Sequence, residues 1–136
     1  MPHFAKEALE RWLAGHGIAY LHMPELGGLR KPKPDSINRG WRNASFRGYA
    51  DYMQTDEFWR GIDRLIELAA QQPLAIMCAE VVPWRCHRSL IADALLVRGI
   101  DVRHITGMPA PARHYLTPFA HVEGGRLTYP GDTLPI

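Results

Sequence analysis

A short apolar run that leads into a cluster of reactive side chains constrains the fold of this chain more than any other stretch. The run Leu74–Cys78 is unbroken, as in a strand that is covered on both faces of a parallel sheet. After it come Glu80 and a Pro-Trp-Arg loop, and the chain then enters a predicted helix through Cys86, His87 and Arg88. This order of strand, loop and helix start is typical of an α/β protein.

The rest of the chain alternates helical and extended patterns. Apolar residues at helical spacing, followed by glycine or proline, predict helices over 2–17, 46–54, 57–72 and 86–97, with a cap at Thr55 or Asp56. Aliphatic and aromatic runs predict strands over 18–23, 74–78 and 100–105. This order predicts an α/β layer fold with right-handed crossovers. Two glycines at 124 and 125 predict a C-terminal β-hairpin.

Size and composition exclude several classes of protein. The 136 residues fit one domain that spans 1–136, and a formal charge of +2 is too small to indicate nucleic-acid binding by itself. No apolar run approaches the roughly 20 residues of a membrane helix. Two cysteines do not form a secreted disulfide framework. We therefore expect a cytoplasmic protein without a membrane partner, and a homo-oligomer is left open.

The start of the predicted helix at 86 has the chemistry of an anion site. In open α/β sheets, ligands bind beyond the carboxyl ends of the strands, which is where this cluster falls. The first-turn amides are unpaired donors, so together with Arg88 they predict a phosphate or carboxylate site. The same surroundings favour a thiolate at Cys86, as a nucleophile requires. The alternative is that Cys86 is a small packing residue.

Two further residues of this cluster are candidate proton carriers. Glu80 is a candidate general base or acid, and the alternative is an ion pair with a neighbouring arginine. His87 is the other candidate, and the alternatives are a capping role or a solvent-facing ring. With Cys78, Glu80 and Cys86, His87 would supply four zinc ligands, but the spacing lacks the paired ligands of structural zinc sites. We predict no metal and no other cofactor.

A long loop between the first two strands is more basic than the chain as a whole. It and the residues just after it hold six cations, namely Arg30, Lys31, Lys33, Arg39, Arg42 and Arg47, against Glu25 and Asp35. With Trp41 among them, these cations could clamp a nucleotide or a single strand by phosphate contact and base stacking. The alternative is a solvated loop that its aromatic rings attach to the body. Arg30, Trp41 and His22 are the candidate substrate-binding residues.

The assembled motifs resemble the domain-of-unknown-function family 488 over essentially the whole chain. The resemblance rests on 17–28 (GIAYLHMPELGG), on 46–53 (FRGYADYM), on Cys78-Ala79-Glu80 followed after five residues by Cys86-His87-Arg88, and on 116–119 (LTPF) with 124–126 (GGR) in the tail. It implies a Rossmann-like three-layer domain with a mainly parallel sheet. The family carries no established activity, although its cysteines and the Cys-His-Arg turn suggest an enzyme.

The resemblance also implies a strand, a helix and a second strand before Met1. On that comparison the sheet lacks two strands, and we expect an exposed apolar sheet face or edge near Leu74–Cys78. A start assigned too far downstream is the explanation we favour, over a trimmed chain or a shortened protein that a partner completes. The leading hypothesis is an enzyme that acts on a phosphate-bearing or other anionic substrate through the Cys-x-Glu-x5-Cys-His-Arg site. The alternative is a non-catalytic nucleic-acid-binding module that uses the loop 30–47.

Overall fold

Four α-helices and two short antiparallel ladders form the secondary structure of the residues described by the computed structural model, which are 6–28, 30–77, 87–105 and 110–131. The helices are α1 (Lys6–Ala14), α2 (Ala44–Tyr52), α3 (Asp56–Gln71) and α4 (Arg88–Val97), with a turn of 3-10 helix at Pro24–Leu26. The strands are β1 (Arg103–His104), β2 (Ala112–Arg113), β3 (His121–Glu123) and β4 (Arg126–Thr128).

Polar side chains cap both central helices; the cap at Thr55 agrees with the prediction, whereas α2 begins at Ala44, before the predicted start at 46. The Asn43 side chain accepts hydrogen bonds from the first-turn amides of α2, and the Thr55 hydroxyl accepts one from the Phe58 amide of α3. Such caps satisfy amide donors that have no partner inside the helix. The predicted break between α2 and α3 is therefore confirmed. None of the helices in the described ranges is long and apolar enough to cross a membrane.

The core lies where α2, α3, α4 and the C-terminal hairpin meet. Its largest fully buried apolar or aromatic side chains are Tyr49, Met53, Phe58, Ile62, Leu90, Leu127 and Tyr129. Each such side chain contributes about 1.5–3 kcal/mol of burial free energy. Helix α4 is buried along most of its length, and this buried stretch includes the carboxyl group of Asp93. A buried carboxyl group is costly unless it has several hydrogen-bond donors, so its surroundings indicate where polar chemistry lies.

The hairpin predicted at the two C-terminal glycines is present. Strands β3 and β4 pair antiparallel, with Val122 opposite Leu127. The two-residue turn between them consists of Gly124 and Gly125, whose φ angles are 58° and 79°. Positive φ at both positions is the geometry that matches the twist of a two-residue hairpin, and glycine adopts it without strain.

The predicted Rossmann-like three-layer domain with a mainly parallel sheet is wrong. In the part of the chain that the structure describes, β1 pairs only with β2 and β3 only with β4, both antiparallel. Residues 18–23 and 74–77 make no ladder, and the predicted strand 100–105 contributes only residues 103 and 104. An apolar run favours extended backbone, but a strand also needs a neighbouring backbone to pair with. That long-range pairing is not visible in the local pattern.

The apolar segment 74–77 also differs from the prediction in its burial. We expected a strand covered on both faces, whereas Leu74 is 40% exposed and Met77 is 58% exposed. We also expected an exposed apolar face or edge of a sheet near this segment; the apolar side chains here are exposed, but the described residues 74–77 belong to no sheet. The rest of the predicted strand, from Cys78 onward, lies outside the described residues.

Candidate functional site

A buried carboxyl group and two histidines form a continuous chain of hydrogen bonds. Asp93 comes from the middle of α4, His104 from β1, and His114 directly follows β2. The Nε2 atom of His114 lies 2.7 Å from Oδ1 of Asp93. Its Nδ1 atom lies 2.7 Å from Nε2 of His104. The antiparallel pairing of His104 with Ala112 places the two imidazole rings side by side.

The carboxyl group at the inner end of this chain is fully buried and fully bonded. Oδ1 of Asp93 also accepts from the Thr117 amide at 3.1 Å, and Oδ2 accepts from the hydroxyls of Thr117 at 2.6 Å and Tyr129 at 2.7 Å. Burial, followed by the neighbouring Asp93, raises the pKa of Tyr129, so its hydroxyl stays protonated and donates. Four donors hold the Asp93 carboxyl in one orientation.

These contacts determine which nitrogen atoms carry protons. Because both oxygens of Asp93 act as acceptors, His114 donates through Nε2, and in a neutral ring its Nδ1 is then an acceptor. His104 accordingly donates through Nε2 to His114. This leaves Nδ1 of His104 with an available lone pair and, within the described chain, without a hydrogen-bond partner. The chain of bonds therefore presents His104 as a base oriented by the carboxyl group through His114.

The electrostatic surroundings keep this base neutral. Partial burial lowers the pKa of His104 below its usual value of 6.5, and electrostatic interactions with His114 and Arg88 lower it further. A neutral imidazole at neutral pH can accept a proton, whereas an imidazolium cannot.

A cavity of about 240 Å³ is lined by both His104 and Arg88. Its other walls are mostly aliphatic and come from α3 and α4, for example Leu65 and Leu95, and from the extended segments 74–76 and 100–105. A mostly apolar cavity with a few convergent polar groups is the usual form of a small-molecule site. The arrangement can bind a small anionic molecule and remove a proton from it or from a nucleophile beside it.

A surface ion-pair group borders this cavity. Asp101 pairs with Arg103 at 3.2 Å and with Arg113 at 3.8 Å, and all three side chains are more than half exposed. Exposed pairs of this kind stabilise a fold by about 0–1 kcal/mol, so their presence here is not explained by stability. Asp101 therefore offsets the charge of Arg103 at the edge of the cavity.

The predicted proton carrier His87 lies in a packed position. It precedes α4, its Nε2 atom lies 3.1 Å from the Leu26 carbonyl oxygen, and its ring lies 4.3 Å from that of Tyr49. A Cβ atom at Gly28 would approach the His87 ring within 2.8 Å, which shows how closely the loop covers it. These contacts favour a structural role for His87. Because His87 immediately precedes Arg88, they also fix the start of α4.

The predicted substrate-binding residues of the basic loop are also packed. Arg30 lies 3.6 Å above the centre of the Tyr52 ring and donates to the carbonyl oxygens of Gly27 and Pro24. Trp41 makes ring contacts with three aromatic side chains, Phe46, Phe119 and Tyr129, at 4.9–5.4 Å. Both observations favour the alternative in which the aromatic rings attach the loop to the body.

The remaining predicted residues fall into two groups. His22 is exposed on the segment before the 3-10 helix, and the structure brings it to neither histidine of the chain that ends at Asp93. Cys86 and Glu80 lie outside the described residues, as does Cys78, so their roles stay predictions. Within the described ranges, no group of three or more histidine, cysteine or acidic side chains is arranged to hold a metal ion.

Sequence reasoning missed Asp93, His104 and His114, and only one of them carries a local signal. Asp93 interrupts the otherwise apolar run 90–96 of α4, and a carboxyl group on a buried face demands a polar partner. The two histidines lie 11 and 21 residues further on, in segments without such a signal. Their contact arises from the pairing of β1 with β2.

Comparison with known proteins identifies one family. The model of the family described as "Domain of unknown function DUF488" matches residues 1–95. This range includes Asp93 and Arg88, whereas His104 and His114 lie beyond it. Searches of curated proteins and of solved structures gave no match.

Proposed function

The chain belongs to the family described as Domain of unknown function DUF488, and from that premise we propose that it is an enzyme that acts on a small anionic substrate with His104 as its general base. The observation that carries this proposal is the chain of hydrogen bonds from buried Asp93 through His114 to a neutral His104 that lines a cavity. A histidine oriented by a second group is the recurring arrangement of acid–base catalysis.

The proton transfer follows from the assigned nitrogens. Nδ1 of His104 takes a proton from the attacking group, and the ring becomes an imidazolium. Its Nε2–H bond to His114 then strengthens, because His114 is itself polarised by the carboxyl group of Asp93. The same imidazolium can return the proton to the leaving group. A positioned base of this kind contributes about 10²–10⁴ in rate.

Arg88 supports the anionic character of the substrate. It occupies the first turn of α4, where the positive end of the helix dipole adds to the charge of the guanidinium. An anion bound there would lie beside His104, and it would offset the charge that lowers the pKa of the base. Substrate binding would thus make His104 more basic at the moment when a proton must be accepted.

Two nucleophiles fit this scheme. One is the predicted nucleophile Cys86, which precedes Arg88 by two residues and whose thiol proton His104 would remove. The other is a water molecule activated by His104, with Glu80 as the second proton carrier. Mass spectrometry of the protein mixed with substrate and quenched with acid distinguishes them, since only the first forms a covalent adduct on Cys86.

The test of the proposal is a comparison of histidine variants over a substrate panel. Phosphomonoesters, phosphodiesters and carboxylate-bearing esters are assayed with the wild type and with His104→Asn. We expect turnover of at least one class, with kcat reduced about 10²-fold or more in the variant. The control is His121→Asn, which changes an exposed histidine whose partner in the described chain is the exposed Glu123. No turnover of any class, or a variant as active as the wild type, would contradict the proposal.

The alternative of a non-catalytic nucleic-acid-binding module has less support. Its stacking residue would be Trp41, which is occupied by three intramolecular ring contacts. Its cation Arg30 is likewise held over Tyr52. Base stacking provides about 1–3 kcal/mol per base in single-strand binding, and the described loop offers no free ring for it.

A further inference from the structure

A second cavity lies on the basic loop and shares no described residue with the cavity of His104. It is open to solvent and has a volume of about 470 Å³. Its lining contains three cations, Lys33, Arg39 and Arg47, together with Pro32, Pro34 and Ser36. No acidic side chain is among the described residues that line it, so the cavity is positively charged.

Hydrogen bonds to α2 hold the loop that forms this cavity. Buried Asp51 of α2 accepts hydrogen bonds from the Lys33 amide at 2.8 Å, the Ser36 hydroxyl at 2.7 Å and the Asn38 side-chain amide at 2.8 Å. The Asn38 side chain in turn accepts from the Tyr129 amide at 2.8 Å. These bonds fix the backbone that carries the cations, which lowers the entropy lost when a ligand is bound.

Close packing against α2 fixes the start of the same loop. A Cβ atom at Gly48 would lie 2.0 Å from the Arg30 carbonyl oxygen, so the loop backbone rests directly on the helix at this glycine. Two intramolecular carbonyl oxygens, those of Trp41 and Arg42, also hold the guanidinium of Arg47. The guanidinium of Arg47, which lines the cavity, is therefore held in a fixed position.

The other two cations are available to a ligand. The side chains of Lys33 and Arg39 are exposed and make no hydrogen bond or ion pair in the described part of the chain. A single solvated cation on a protein surface is ordinary. Here two such cations lie beside Arg47, and the buried carboxyl group of Asp51 fixes the backbone that carries them. The three cations therefore form a preorganised site. Arginine and lysine together match the tetrahedral oxygens of phosphate by forked and single contacts.

We propose that this cavity binds the phosphate chain of a small molecule, such as a diphosphate or triphosphate group. Two or three adjacent phosphates match three cations in charge and fit a cavity of about 470 Å³. A nucleic-acid strand is the less suitable ligand, because Trp41 is occupied within the protein and the cavity has no aromatic lining on which a base could stack. The site is separate from the proposed catalytic histidine, and neither proposal depends on the other.

The test measures binding of pyrophosphate and triphosphate by calorimetry, with adenosine triphosphate and a single-stranded oligonucleotide for comparison. We expect Lys33→Ala and Arg39→Ala each to weaken triphosphate binding about tenfold, as expected for the loss of a charge-assisted contact. Matched controls are Lys31→Ala and Arg42→Ala, which remove the same charges from exposed positions of the same loop that do not line the cavity. These should change binding less than about twofold at 0.15 M salt, where more distant charges are screened.

Each outcome decides the proposal. Equal binding of triphosphate and adenosine triphosphate supports recognition of the phosphate chain alone, and tighter binding of the nucleotide supports a nucleotide as the source of that chain. Equal losses in the four variants would show diffuse attraction and overturn the site. Stronger binding of the oligonucleotide than of triphosphate, or no binding of either phosphate compound, would also overturn it.

Discussion

Replacement of Asp93 by asparagine tests the chain of hydrogen bonds on which the proposed catalytic role depends. The two side chains have nearly the same shape, so the change removes charge and one acceptor oxygen without leaving a cavity. Asp93 accepts from four donors in the structure. An asparagine oxygen in place of Oδ1 would still accept from His114 and from the Thr117 amide. Its NH₂ group would then face the hydroxyls of Thr117 and Tyr129.

The cost follows from those two hydroxyls. Both can rotate to accept from the asparagine NH₂ group, but their own protons then lose the acceptor they have now, in a fully buried position for Tyr129 and a partly buried one for Thr117. Unsatisfied buried polar groups cost about 1–3 kcal/mol each, and the remaining bonds to Oδ1 lose the strength that a charged acceptor gives. We therefore expect Asp93→Asn to lower the free energy of unfolding by about 2–4 kcal/mol. Urea denaturation measures this change.

A double-mutant cycle separates the network from a general loss of stability. Tyr129→Phe removes one donor to Asp93 and keeps the ring, and the double variant with Asp93→Asn should show a coupling of about 1 kcal/mol or more. The matched control is Asp101→Asn, because Asp101 pairs with two exposed arginines of the described chain and should change stability by less than about 1 kcal/mol. A cost for Asp93→Asn no larger than that of the control, or a coupling near zero, would refute this reasoning.

Two further predictions concern the base and the loop. Because the pKa of His104 is lowered in the folded protein, unfolding takes up protons below the unfolded value of about 6.5. The free energy of unfolding therefore decreases as the pH falls from the unfolded pKa of His104 towards its lower folded pKa. NMR titration should place the folded pKa below 6.5, and Arg88→Ala should raise that pKa. A pKa unaffected by Arg88→Ala would contradict the electrostatic effect assigned to Arg88. Gly48→Ala should destabilise the fold by more than about 3 kcal/mol in urea denaturation, since its Cβ would meet a loop carbonyl oxygen at 2.0 Å. Gly15→Ala, whose Cβ would have ordinary contacts at 3.5 Å, should cost less than about 1 kcal/mol, and equal losses would argue against the close approach.

The helices were predictable from the sequence because their signals are local. The cap at Thr55, the apolar stripe of α3 and the glycines of the C-terminal hairpin each act within a few residues of their position. The parallel sheet was not, because hydrogen-bonded pairing joins segments that are distant in the chain. The segment 74–77 has the composition of a buried strand, yet the structure shows it exposed and unpaired. The composition of a segment predicts the backbone conformation that it favours, but a strand forms only where a neighbouring segment is available for pairing.

The same difference between local and distant signals separates the predicted site residues from those the structure reveals. The motif around Arg88 attracts notice because its reactive residues are adjacent in the sequence. His104 and His114 are unremarkable there, and only the β1–β2 ladder brings their rings together. Aromatic residues of the basic loop mislead for a related reason. Trp41 is of the residue type that stacks on bases, but its ring packs against the rings of Phe46 and Tyr129 within the protein.

The burial of Asp93 supports the proposed catalytic role. Replacing a whole buried group of charged and polar partners by apolar side chains of similar volume is often neutral or stabilising, so the core does not require Asp93 and its partners for stability. The fold instead surrounds this carboxyl group with two hydroxyls, an amide and an imidazole, and that imidazole in turn orients a second one at a cavity. Of these groups only His104 lines the cavity and has a nitrogen atom without a partner in the described chain. The hydrogen bonds therefore run from a fixed acceptor in the core, Asp93, to a base at the cavity, His104. A cluster that only stabilised the fold would not require such a base at its outer end.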